Sequence, residues 1–114
     1  MNDAELEKIQ QSRNLTARRV ALADVEANIA GEHYFTLAQA TEGAPQFPSF
    51  ASFTVCALTL KNGFTLIGHS APASLENFDP EIGKKIARQR AFDQIWPLMG
   101  YELKQRLHDA PPSD

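Results

Sequence analysis

This 114-residue chain has one cysteine, one tryptophan and two methionines, and no apolar run near the roughly 20 residues that a membrane-spanning helix needs. A lone cysteine excludes an internal disulfide framework and fits a reducing compartment. The opening MNDAELEKIQ is polar and acidic, so no secretory signal is expected and a cytoplasmic location is. A formal charge of −3 argues against broad nucleic-acid binding while leaving room for a local basic patch. A Gly-rich phosphate loop, paired-cysteine metal motifs, a nucleophile elbow and a metalloprotease helix signature are all missing. We therefore expect no enzyme, no cofactor and no metal site.

What is present is centred on FTVCALTLKNGFTLIGHS, residues 53–70. Two runs rich in apolar and β-branched residues flank Asn62-Gly63, which signals a β-hairpin with a type I′ turn. A two-residue turn sets Leu60 against Thr65, Leu58 against Ile67, Cys56 against His69 and Val55 against Ser70. One face then carries Cys56, Leu58, Leu60 and Ile67, the other Phe53, Val55, Ala57, Phe64 and Leu66. Neither alternates cleanly with polar residues, so both want cover. A chain this short can cover one, and a second copy or another protein is the candidate for the other.

Residues 1–15 hold few apolar side chains and read as a flexible tail or frayed helix. An amphipathic helix is expected over 16–29, ending near Gly31, followed by a strand over 33–40. Gly43, Pro45 and Pro48 interrupt that strand and make 41–49 a loop. Asp79-Pro80 is a helix start, with Asp as the cap and Pro where no backbone donor is lost. That helix runs to Trp96, breaks or kinks at Pro97 and continues through Leu107. Its small residues Gly83, Ala87 and Ala91, with Ile95 next in the row, predict close packing on the sheet or another helix. Residues 109–114 read as a disordered tail. The expected architecture is α+β: a three-stranded antiparallel meander with an N-terminal helix and a C-terminal Pro-kinked helix pair, one domain over 16–108.

Ordered blocks of this chain resemble a known family: Arg19-Val20 with Asp24-Val25, LTLKNGFTLIGHSA, ENFDPEIGKKIA, and IWPLMGY with Leu103. Together they cover residues 18–107 and are similar to the small phage and prophage proteins of the gene-49/gene-66 family. Ala21-Leu22 departs from the Thr-Pro pair that often opens that family's first helix, Met99 from a common acidic residue, and the loop at 45–49 is longer. The resemblance implies a phage or prophage origin and an accessory role in the cytoplasm of a bacterial host. It brings no catalytic residue with it.

Lys84, Lys85, Arg88 and Arg90 form a basic cluster on the helix beginning at Pro80, either a solvated face or a site for a small anionic ligand. Aromatic interleaving for stacking single-stranded bases is absent there apart from Phe92, and nucleic acid is not an expected partner. Trp96 and Tyr101 around Pro97, and Phe47 and Phe50 in the long loop, are candidate partner-binding residues. Cys56 with His69, and His33 alongside, would begin a metal or nucleophile-base pair, but two ligands are too few and burial explains them more simply. The leading expectation is a homo-oligomeric accessory protein that binds and modulates a host protein, with counter-defence as one setting. A nucleotide-like anion sequestered by an oligomer is the second expectation, and DNA binding the third.

Overall fold

The computed structural model describes residues 2–13 and 18–111. Residues 14–17 and 112–114, on which parts of both expected tails and the start of the expected 16–29 helix fall, lie outside the described residues. The chain divides into two compact units, one of 1–28 with 95–114 and the other of Ile29–Gln94.

The second unit is an antiparallel sheet in the order β1 (Ile29–Thr36), β2 (Thr54–Leu60), β3 (Thr65–Ser70) with the helix α4 (Pro80–Asp93) packed on β2 and β3. With helices on either side in sequence, this is the α+β meander that the sequence predicts. α4 begins as expected: Asp79 Oδ1 accepts from the Glu81 and Ile82 amides at 2.9 and 3.3 Å, and Pro80 opens the first turn. Its row of small residues lies buried, with Ala87 and Ala91 fully so. Gly68 on β3 makes the approach feasible, because a Cβ there would run into the Ala87 carbonyl and the Ala91 amide.

The hairpin register differs by one residue from the expected one. Gly63 N–H donates to Leu60 O and Leu60 N–H to Phe64 O, both at 2.8 Å, which closes a turn over 60–63 with Gly63 at φ +91°. This three-residue loop asks for left-handed backbone at Gly63 alone, whereas the type I′ turn needs it at Asn62 as well. Asn62 instead uses its Oδ1 to accept from the Phe64 amide at 2.9 Å. Leu58 therefore faces Leu66, Ala57 faces Ile67, Cys56 faces Gly68 and Val55 faces His69. The slip turns β3 over: Leu66 goes into the core and Ile67 out to solvent.

Two further boundaries move for local reasons. Of the helix expected over 16–29, the described residues form only α2 (Leu22–Ala27), where the Asp24 carboxylate accepts from the Ala21 amide at 2.8 Å. Gly31 is no helix cap but pairs with Thr59 inside β1, just past a bulge. The strand expected over 33–40 ends at Thr36, where a reciprocal cap starts the single turn α3 (Leu37–Ala40). Thr36 Oγ1 accepts from Gln39 N–H at 3.2 Å, and Gln39 Oε1 from Thr36 N–H at 2.8 Å. A short 3-10 helix, Pro48–Ser52, leads into β2.

In the other unit, α1 (Asp3–Ser12) occupies most of the stretch expected to be flexible or frayed, and Asn2 caps it. The break after α4 falls at Gln94, so that Pro97 sits in the first turn of α5 (Ile95–Asp109), where Pro is tolerated. Trp96 Nε1 donates to Asp3 Oδ2 at 3.1 Å, and Glu7 Oε1 accepts from both Arg19 Nη1 and the Leu22 amide.

Candidate functional site

The strand register sorts the sheet into rows. On the α4 side run Thr36–Thr54–Ser70, Tyr34–Cys56–Gly68 and Glu32–Leu58–Leu66. Leu58 and Cys56 are fully buried there. The opposite face carries Phe35–Val55–His69, His33–Ala57–Ile67 and Gly31–Thr59–Thr65. On it Ile67 is 56% exposed, the His69 ring stacks on Phe53 at 5.0 Å, and His33 lies 6.1 Å from Phe35. Thr59 and Thr65 join through their hydroxyls at 3.1 Å, so one end of this face is polar and the other aromatic. Phe64, at the hairpin tip, is 53% exposed.

Cys56 and His69, expected as neighbours, are on opposite faces of the sheet as a consequence of the slipped register. Burial raises the Cys56 thiol pKa, which keeps it protonated and a poor nucleophile. Among the described residues no group of three or more His, Cys, Asp or Glu side chains could hold a metal ion.

The four basic residues of α4 do not converge. Arg88 reaches β1, donating from Nε to Glu32 Oε1 at 2.8 Å with its guanidinium 5.4 Å from the Phe92 ring. Lys84, one turn earlier, stands 3.9 Å from Glu81 and 6.0 Å from the centre of the Tyr34 ring. Arg90 turns to the other edge and donates to His69 O at 2.9 Å, while Lys85 is exposed. Helical spacing carries this split: residues four apart share a face, and Arg90 is six from Lys84. Tyr34 Oη donates to Glu32 Oε2 at 2.7 Å, completing a Lys84–Tyr34–Glu32–Arg88 cluster at the β1 edge. Hydrogen bonds from Arg88 and Tyr34 lower the Glu32 pKa, and burial with the Glu32 bond raises that of Tyr34.

Beside this cluster lies a cleft of about 290 Å³ lined by Tyr34, Thr36, Thr54, Phe78, Pro80 and Lys84 among others. Thr54, 3% exposed, presents its side chain there. Glu32, Tyr34 and Thr54 carry no sequence motif, and only the strand alternation could have marked them as one face.

Of the apolar candidates, Phe47 is 64% exposed and meets Phe50 at 5.4 Å. Tyr101 is 74% exposed on α5. Trp96 is half-buried and lines a cavity of about 330 Å³ with Asp3, Leu6, Glu7, Gln10, Arg19 and Val20. Among the described residues no helix is long and apolar enough to cross a membrane.

Comparison with curated proteins and with solved structures returned no match. The profile described as the phage protein (N4 Gp49/phage Sf6 gene 66) family matches residues 20–107, most of the chain, and the protein belongs to that family.

Proposed function

We propose that the chain is a non-catalytic phage accessory protein that acts in the host cytoplasm by binding a host protein and modulating it. The observation that carries this reading is the sheet face opposite α4. There Ile67 is exposed beside the Phe53–His69 stack and the half-buried Phe35. Aromatic rings held on a rigid strand scaffold lose little side-chain freedom on binding and supply the anchors typical of interface hot spots.

The test is photocrosslinking from a benzophenone amino acid placed at Ile67 during expression in the host, followed by reconstitution of the captured protein with the purified chain. The reading expects one protein to recur, to bind at fixed stoichiometry, and to be lost with Ile67→Glu while the fold is kept. A chain whose crosslinks are random, or whose purified partner binds Ile67→Glu as well as wild type, refutes it.

A second reading draws on the cleft beside Lys84, whose aromatic walls and single cation suit a small planar anion such as a nucleotide. Titration with nucleoside monophosphates, read by calorimetry, should then give binding that Lys84→Ala abolishes. No heat with any of them removes this second reading.

A further inference from the structure

The two edges of the sheet are treated differently. On β3 two carbonyls pointing away from β2 are taken by side chains of α4 and its C-cap: Arg90 Nη1 donates to His69 O at 2.9 Å and Gln94 Nε2 to Ile67 O at 2.8 Å. Unpaired edge groups invite strand addition, and side chains laid along them remove the invitation.

Among the described residues none closes the middle of the β1 edge in this way. Backbone groups alternate sides along an antiparallel strand. Leu60–Phe64 is a hydrogen-bonded pair, so the even residues of β2 bond to β3 and its odd residues bond to β1. The Leu37 amide on Phe53 O at 3.0 Å continues that phase. Glu32, Tyr34 and Thr36 accordingly point their backbone groups outward. The Thr36 amide is taken by Gln39 Oε1 at 2.8 Å, which stops the open stretch at its C-terminal end. The bulge between Ile29 and Gly31 stops it at the other. Two consecutive outward residues, Glu32 and Tyr34, remain.

We infer that the β1 edge is a seam for a second copy of this chain, joined antiparallel about a two-fold axis at His33, with Glu32 opposite the partner copy's Tyr34. In that register both outward residues of each strand find an outward residue of the other, which makes four backbone hydrogen bonds. Shifting so that Glu32 faces Glu32 sends Tyr34 to the bulge, and centring on Tyr34 sends Glu32 to the capped Thr36. The charges agree with a second copy: the Glu32 carboxylate of one chain comes beside the Tyr34 ring over which the other chain's Lys84 stands, and the pairing occurs twice. The seam leaves the face bearing Ile67 unchanged, so it stands independently of the host-protein reading.

Sedimentation equilibrium of the full chain should give twice the chain mass. Glu32→Pro removes an outward amide without touching a bond to β2, and it should give a folded monomer, while Glu32→Ala should remain dimeric. In the inferred register His33 meets the partner's His33 as a non-hydrogen-bonded pair, the closest kind. His33→Cys should therefore form a covalent dimer in oxidised glutathione that dithiothreitol reverses, and His69→Cys on the closed edge should not. A monomeric wild type overturns the inference. So does a folded Glu32→Pro that stays dimeric, or a His33→Cys chain that crosslinks no faster than His69→Cys.

Discussion

Gly68 on β3 lies so close to Ala91 on α4 that a Cβ at Gly68 would meet the Ala91 amide and the Ala87 carbonyl. Neither neighbour is the far end of a flexible side chain, so the backbone itself would have to move.

Gly68→Ala should therefore cost about 3 kcal/mol or more, the upper range for overpacking a tight core. Gly100→Ala is the matched control, since that helical glycine has nothing within 4 Å of its would-be Cβ. It should stabilise the chain by about 0.5–1 kcal/mol. Urea unfolding of both variants at one protein concentration checks the pair, and equal effects would show that the helix does not touch the sheet at Gly68.

At the hairpin, Gly63 has φ +91° with open space around it, so the demand there is conformational and not steric. Gly63→Ala should cost about 1 kcal/mol, and Gly63→Asn less, because Asn tolerates the left-handed region. The ordering of the two midpoints is the readout.

The fully buried Leu58 fills the centre of the α4 side of the sheet. Leu58→Ala should remove about 2–5 kcal/mol through lost contacts and a residual cavity. Asp79→Ala, which removes the cap of α4, should cost about 1 kcal/mol. The two can be compared in one denaturation series.

Acid should weaken the Glu32 cluster in a defined direction. The folded-state pKa of Glu32 lies below its ordinary value of 4.5 because Arg88 and Tyr34 bond to the carboxylate. A depressed pKa contributes stability that is present above pH 4.5 and lost as pH falls through the lower folded value. The Glu32 side chain is 35% exposed, so screening keeps the contribution within about 1 kcal/mol. Unfolding midpoints between pH 5 and 3 should fall more steeply for wild type than for Glu32→Gln. Parallel curves would show that the pair carries no linkage.

Thiol labelling offers a separate check on the core. Cys56 is fully buried with its pKa raised by burial, so alkylation should track unfolding and not the thiol's own titration. Fast labelling of the folded chain at pH 8 would place Cys56 nearer the surface than the fold does.

The sequence by itself determined the parts of this protein that depend on near neighbours. Asp79-Pro80 starts a helix wherever it is placed, because a carboxylate satisfies free amides and proline loses none. Likewise Asn62-Gly63 between two β-branched runs makes a hairpin, and the spacing of Gly83, Ala87 and Ala91 marks the face of α4 that must lie close to something. The Thr36–Gln39 cap, which ends β1, is equally local in Thr-Leu-Ala-Gln, although the aromatic and β-branched residues before it led to the expectation of a strand through residue 40.

Only the tertiary structure decided what depends on register and on distant partners. One residue of slip at Gly63 exchanged Leu66 for Ile67 on the core face, and no local preference distinguishes the two loops strongly enough to settle it. The basic residues of α4 look alike in sequence, yet Arg88 is drawn to a carboxylate on β1 and Arg90 to a carbonyl on β3. The cluster at the β1 edge exists because two segments far apart in the chain, β1 and α4, meet there. Side-chain charge is written residue by residue, but its partners are set by packing, and packing is a property of the whole sheet and helix.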